Sequence, residues 1–395
     1  MKIGIDARPM QNESKYRGIG RMLENILEYG AAYFNLHDIN FYIEKNLPIP
    51  PVLEKFPNAK VTIINSGVRT KRFIRAIAGE FKTPTPTDKN EVFFQAEFYL
   101  GVPKKVRSVM VFHDAIPLLF KEKEEPIVGN SLRSVKRKAA SKVYWNRYVK
   151  LLKTYSRATR IIAISNNSKR DLENLILINK KIPVSVVYES STPLKKIVVE
   201  KVSFIDKKES FLLYVGGIDI RKNILGLLDD FNEIHLTHKG LRLVCVGKEF
   251  LKKDQLNDLG WSKFIKKNNL EKYVITPGYV SDGELSYLYE NAEAFVFPSR
   301  YEGFGLPVLE AMQSGCPVVA YDNSSIPEVA GNAAILVKDG ESMVPALEDL
   351  MQDKGKRKAL IEKGYKQAEK FSWKRTAQET IKVLEGVGDL KEIKK

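Results

Sequence analysis

Two rhythms of apolar residues alternate along the chain. Residues 3–6 form a short apolar run that reads as a first strand. A loop carrying Gly18 and Gly20 follows, and Ile19, Met22, Leu23, Ile26 and Leu27 then recur at helical spacing. Residues 41–43, 61–64, 92–94 and 109–112 are further short strands. The pattern predicts a long helix from about Ser131 to Tyr155, then a strand at 160–164 with Ser165 or Asn167 capping the next helix. A strand at 184–187 closes this half. Residues 189–210 change pattern, carry Ser190-Ser191-Thr192-Pro193 and read as a linker.

The second half repeats the alternation more cleanly. Strands are expected at 211–215, 241–246, 274–275, 294–297, 318–320 and 335–337, with helices between. Ser281-Asp282-Gly283-Glu284 marks one helix start as a capping box. Strands alternating with helices mean parallel sheets covered on both faces. The expected architecture is α/β, with two Rossmann-like, doubly wound domains facing a cleft. They span residues 1–195 and 205–372. Ligands in such sheets bind beyond the carboxyl ends of the strands, so the chemistry is expected there.

Composition fits this picture. The 395 residues are 44% apolar and 28% charged, as in a globular protein and unlike a disordered one. No apolar stretch approaches the ~20 residues of a membrane-spanning helix. Cys245 and Cys316 sit in apolar runs that read as buried, which excludes a disulfide framework and a cysteine zinc site. The first residues already read as a strand and not as a secretion signal, so a cytoplasmic location is expected. Charge is the informative number. The net +16 lies entirely in residues 1–200, with 35 Lys and Arg against 19 Asp and Glu, while 201–395 hold 29 of each. Residues 126–170 carry 12 basic residues and no acidic one. Within them Lys136, Arg137, Lys138, Lys142, Arg147, Lys150 and Lys153 interleave with Val143, Tyr144, Trp145, Tyr148 and Leu151. That pattern suits an anionic membrane surface or a solvated helix face. Nucleic acid attracts the same charge, yet no nucleic-acid-binding motif accompanies it.

Three constellations carry candidate chemistry. The first runs Pro298-Ser299-Arg300-Tyr301-Glu302-Gly303-Phe304-Gly305-Leu306-Pro307-Val308-Leu309-Glu310-Ala311-Met312. A strand ends before it, and Pro307 stands where a first helical residue belongs. The N–H groups around Phe304, Gly305 and Leu306 then make a helix N-terminus suited to an anion or a hydroxyl. Glu302 falls in the loop and Glu310 in the first turn, so both can face one pocket. A plainer role for Glu310, complementing the helix dipole, is worth ~0.3–1 kcal/mol.

The second is Tyr214-Val215-Gly216-Gly217-Ile218-Asp219-Ile220-Arg221-Lys222-Asn223, a strand ending in two glycines with Asn223 as the expected cap. Two cations at a helix N-terminus oppose the dipole, a misfit that an anion would relieve. The third is Val111-Phe112-His113-Asp114-Ala115-Ile116-Pro117, also at a strand end. A lone histidine is usually structural. No Asp-x-Asp pair exists to clamp a metal on a diphosphate, and no Gly-x4-Gly-Lys-Ser/Thr loop exists for a nucleoside triphosphate. Charge on a leaving group would fall to Arg221, Lys222 and backbone N–H groups.

The Glu302–Glu310 segment resembles the E-x7-E signature of retaining glycosyltransferases with the GT-B fold, family 4 in particular. The likeness continues through Ser314-Gly315-Cys316-Pro317-Val318-Val319-Ala320 and Pro327-Glu328-Val329. The resemblance implies transfer of a hexose from a UDP-sugar or GDP-sugar to a saccharide or lipid-linked acceptor, without a metal, in polysaccharide or glycoconjugate synthesis. It places Glu302 against the donor sugar and Glu310 on the ribose. The backbone of Phe304, Gly305 and Leu306 would touch sugar hydroxyls and diphosphate. Gly216, Gly217, Arg221 and Lys222 would bind the diphosphate. Many members carry Arg where this chain has Gly217, which hands that role to Arg221. His113 is implied near the donor sugar, Gly18 of Arg17-Gly18-Ile19-Gly20-Arg21 beside the diphosphate, and Tyr279 and Val280 at the base. The helix of about residues 373–395 would pack back on the N-terminal domain. A sugar-nucleotide epimerase or phosphorylase would share the fold, and a basic nucleic-acid-binding protein would share the charge.

Overall fold

A computed structural model describes residues 1–12, 14, 18–64, 90–97, 106–120, 146, 149–175, 182–192, 194, 201–206 and 208–390. They form two compact units. The first draws on Met1–Ala115, Pro126–Glu189 and Ser372–Lys395, the second on Ile116–Glu125 and Ser190–Phe371. Most of the expected basic helix, including Lys136, Arg137, Lys138, Lys142 and Arg147, lies outside the described residues, as does Arg17.

The first unit is built on a seven-stranded parallel sheet. Its strands are β1 (Lys2–Asp6), β2 (Asp38–Glu44), β3 (Lys60–Ile64), β4 (Val92–Gln95), β5 (Ser108–Phe112), β6 (Arg160–Ala163) and β7 (Val184–Val186). They lie in the order β3-β2-β1-β4-β5-β6-β7. The central strands are apolar on both sides, as a sheet covered on both faces requires: every residue of β5 is buried. The helix Gly18–Phe34 covers one stretch with Met22, Leu23, Ile26 and Leu27, all fully buried. The helix Trp373–Gly388 packs against it where Gly30 meets Ala377; a Cβ on Gly30 would come within 2.8 Å of the Ala377 methyl. Thr376 Oγ1 donates to the Tyr188 carbonyl at 2.7 Å and Arg107 Nη1 to the Gly388 carbonyl at 2.9 Å, which ties both ends of that helix to the unit. Ser165, not Asn167, caps the helix Asn166–Leu175, its Oγ accepting the Ser168 N–H at 2.9 Å.

The second unit holds a six-stranded parallel sheet in the order β10-β9-β8-β11-β12-β13. These strands are β8 (Phe211–Val215), β9 (Arg242–Val246), β10 (Val274–Gly278), β11 (Ala294–Phe297), β12 (Val318–Asp322) and β13 (Ile335–Lys338). Its core joins Tyr214, Leu227, Leu228, Phe231, Leu243 and Val296. The capping box forms as expected: Ser281 Oγ accepts the Glu284 N–H while Glu284 accepts the Ser281 N–H. Both cysteines are buried, and burial pushes the Cys316 thiol up to about 12. In each sheet the strand order reverses once, between β1 and β4 and between β8 and β11. Crevices at such reversals are where doubly wound sheets bind ligands.

Candidate active site

The reversal of the second sheet brings the first two constellations together. β8 and β11 are neighbours, so the loop after Val215 meets the loop after Phe297. The first loop is shaped by close backbone approach. Tyr214, fully buried, donates its hydroxyl to the Gly217 carbonyl at 2.6 Å. A Cβ on Gly247, at the end of β9, would lie 2.1 Å from the Gly216 carbonyl oxygen, a separation no side chain tolerates. The chain then makes a single 3-10 turn over Ile220–Lys222.

That turn delivers Arg221 and Lys222 to Glu302. Lys222 Nζ lies 2.6 Å and Arg221 Nη1 2.9 Å from Glu302 Oε1. Ser299 Oγ donates to the same oxygen at 2.5 Å. Arg221 is braced further, through Nε to Asp219 at 2.8 Å and through Nη1 to the Tyr301 carbonyl at 3.0 Å. Lys222 Nζ also sits 4.9 Å from the centre of the Phe297 ring. Lys222 is 7% and Glu302 8% exposed, so the pair works in a low-dielectric setting. Burial alone would raise the Glu302 carboxyl; the Lys222 and Arg221 charges and the Lys222 and Ser299 hydrogen bonds outweigh it and hold it below the usual carboxylate range. The cluster therefore sets two cations against two carboxylates, the buried Glu302 and the more exposed Asp219. Its two cations belong to the same sheet reversal as the start of the helix Leu306–Gln313. First-turn N–H groups of a helix lack intrahelical acceptors and attract anions.

Details of that helix depart from the sequence expectation. Gly305 is its N-cap at φ 104°, a left-handed conformation that favours glycine, and a Cβ there would also meet Ile326 at 2.7 Å. Leu306 is then the first helical residue and Pro307 the second. Glu310 falls beyond the first turn, where a dipole-complementing role fades. It accepts instead from the buried Tyr289 hydroxyl at 3.4 Å. Phe304 turns inward, with its ring 5.7 Å from that of Phe371, so its backbone is what it offers to a ligand. Asn223 occupies the N-cap position of the helix Ile224–Thr237 but makes no capping bond. It is left-handed at φ 53°, because it also ends the 3-10 turn.

The remaining candidates are placed as follows. Tyr279 is 65% exposed after β10, with Lys248 Nζ 5.0 Å from its ring centre, and Val280 is buried. In the first unit Gly18 begins its helix, and a Cβ there would meet nothing within 4 Å, so crowding in its own unit does not demand glycine. His113 stands just past β5, its imidazole Nε2 3.0 Å from the Ala96 carbonyl. Sequence reasoning passed over Ser299, Asp219 and Glu189, which act on Glu302, Arg221 and His113. Ser299 precedes Glu302 by three residues, but nothing in that spacing distinguishes it from a loop serine. Among the described residues no group of three or more His, Cys, Asp or Glu side chains is placed to hold a metal ion, and no helix is long and apolar enough to cross a membrane.

Residues 196–367 match the family model described as glycosyl transferases group 1. The match covers less than half of the chain, which has the GT-B α/β fold of two Rossmann-like units. Among curated relatives, O-antigen chain mannosyltransferase B of Escherichia coli is 36% identical over 176 residues, 44% of this chain and 45% of that protein. The serotype-specific mannosyltransferase WbdA of Escherichia coli is 26% identical over 426 residues, 96% of this chain and 47% of that protein. The chain thus spans less than half the length of these relatives. Among solved structures, sucrose-phosphate synthase from Thermosynechococcus elongatus superposes with a TM-score of 0.68 at 17% identity, covering 98% of this chain and 99% of that one. HepE from Anabaena, in complex with UDP and glucose, gives a TM-score of 0.66 at 17% identity over 98% of this chain and 100% of that one. At such identities these likenesses show the fold.

Proposed function

We propose that the chain is a retaining glycosyltransferase that moves a hexose from a nucleotide-diphosphate sugar to a saccharide or lipid-linked saccharide in polysaccharide biosynthesis. The observation that carries this reading is the buried Arg221–Lys222–Glu302 cluster at the sheet reversal, beside a helix N-terminus. It joins two cations held in place for a diphosphate to a carboxylate of the kind that orients a sugar. The two curated relatives described above are mannosyltransferases, which favours mannose as the hexose. The UDP and glucose in HepE support a nucleotide-sugar donor.

In the transfer, the bond from the anomeric carbon to the diphosphate oxygen breaks and negative charge grows on the leaving group. Arg221, Lys222 and the first-turn N–H groups stabilise that charge without having to reorganise, because Glu302, Asp219 and the Tyr301 carbonyl already hold the cations. The acceptor hydroxyl attacks from the face the diphosphate leaves and gives its proton to a departing phosphate oxygen, so configuration is retained. Glu310 binds the ribose, and Tyr279 and Val280 the base. No metal enters this scheme. The acceptor is lipid-linked at an anionic membrane face, which the basic first half of the chain attracts.

Thermal-shift screening against UDP-, GDP- and other nucleotide sugars, followed by transfer assays on the stabilising donor, tests the reading. Transfer that persists in EDTA is the expected result. Epimerised donor without acceptor, turnover that requires inorganic phosphate, or activity lost in EDTA and restored by manganese would each overturn part of it.

A further inference from the structure

The carboxyl ends of three strands of the first sheet converge on His113. The residue follows β5, and its side chain is 12% exposed. Nε2 lies 3.0 Å from the Ala96 carbonyl oxygen, in the loop after β4. A carbonyl can only accept, so Nε2 carries a hydrogen. Nδ1 faces Glu189 Oε1 at 3.6 Å, from the segment after β7. Glu189 is 4% exposed, and this oxygen accepts no hydrogen bond. A carboxylate oxygen buried in that state is costly unless a cation stands against it, and a second proton on the imidazole supplies one.

The main chain of His113 is fixed as well. Its carbonyl accepts Ser168 Oγ at 2.7 Å, from the first turn of the helix Asn166–Leu175. The groups that face the imidazole are therefore Glu189 from beyond β7, the Ala96 carbonyl from beyond β4 and Asp114 from its own loop, while the helix contributes the neutral Ser168. Burial lowers the imidazole pKa; Glu189, the Ala96 carbonyl and Asp114 together reverse that and carry it above the ordinary histidine value.

The geometry points to Glu189 as a positioning residue: reaching back from the end of β7, its carboxylate holds His113 as an imidazolium of fixed orientation. Both ring nitrogens then face acceptors within the protein. His113 serves the reaction as a fixed positive charge and not as a proton acceptor. This rests on the proposed function and on the family resemblance, which implies His113 near the donor sugar. A cation there suits a donor that carries a diphosphate and gains negative charge on it as the sugar departs.

The test uses the full chain, labelled at its histidines for NMR titration, with His113→Gln to assign the resonance. His113 should remain charged above the ordinary histidine range. In Glu189→Gln, an isosteric change, its proton affinity should fall by roughly tenfold or more, one unit of pKa. The high-pH limb of kcat/KM for transfer should move down with it, and Glu189→Asp should recover part of the shift. Thermal unfolding of each variant confirms that it folds. An identical His113 titration in wild type and Glu189→Gln would overturn the ion pair. A titration that moves while the pH profile stays fixed would overturn the role in the reaction. A wild-type chain without transferase activity would sink the proposed function, while the titration would still decide the ion pair.

Discussion

Three donors converge on one oxygen of Glu302, and that crowding has consequences that pH exposes. Lys222, Arg221 and Ser299 all stabilise the carboxylate form, so its folded pKa lies below its unfolded one. A depressed carboxyl stabilises the folded state above its unfolded pKa, and the contribution is lost as pH falls through the folded value. Glu302→Gln should therefore cost about 3 kcal/mol near pH 7, by leaving buried Lys222 without its counter-charge. The gap to wild type should narrow below a pH of about 4.3. Denaturant unfolding across that range measures both. Glu310 makes the contrasting case. It is half-buried and accepts the Tyr289 hydroxyl at a long 3.4 Å, and its proposed role is toward the ligand. Glu310→Ala should weaken nucleotide binding by about 1.5–3 kcal/mol, the range for a hydrogen bond to a charged group. Calorimetry with the preferred nucleotide would show it; unchanged affinity in a folded variant would remove the ribose assignment. Residues such as Glu302 and Lys222 could be named from sequence because each sits in a run whose glycines and prolines announce a strand-to-helix turn. Glu189 and Ser299 could not. Glu189 meets His113 from another strand end and Ser299 meets Glu302 within its own loop, and a lone carboxylate or serine in a polar loop carries no periodic signal.

Strands survive translation from sequence to structure better than helix ends do. All the strands expected in the second half are present, because a buried parallel strand is written as a contiguous apolar run. Helix starts depend on local dihedral angles that residue types bias without fixing. Pro307 is the second helical residue instead of the first because Gly305 takes the left-handed cap, and Asn223 cannot cap because it is itself left-handed. Close backbone approach is harder still to read. Gly247 gave no signal in the sequence, yet it lets the end of β9 lie against the loop that presents Arg221 and Lys222. Gly247→Ala must push the Gly216 carbonyl aside, since the added carbon would sit 2.1 Å from that oxygen. The expected result is at least tenfold weaker donor binding, about 1.4 kcal/mol. Ser372→Ala, at the cap of the helix Trp373–Gly388 in the first unit, should cost ~1 kcal/mol of stability and leave donor affinity unchanged. Equal donor affinity in both variants would show that the β9 end does not shape the diphosphate loop.

Charge belongs to the molecule as a whole, and its asymmetry is not explained by a donor site. The excess of +16 falls in residues 1–200, whereas the cluster that would hold the diphosphate lies in the balanced second half. A diphosphate needs two or three cations. The first half carries 35, with 12 concentrated in residues 126–170. An acceptor displayed at an anionic surface accounts for such an excess, because each basic residue near the surface contributes about 1 kcal/mol, declining over a Debye length. Replacing Arg137, Lys138, Lys142 and Lys150 together by Gln should abolish sedimentation with anionic vesicles at low salt. Hydrolysis of the donor should survive, since it draws on the second-half cluster and not on these side chains. Binding of the wild-type chain should fall steeply as salt rises and should vanish on neutral vesicles. Equal sedimentation with neutral and anionic vesicles, or none with either, would make the basic run a solvated face, and a soluble saccharide would replace the lipid-linked one as the expected acceptor.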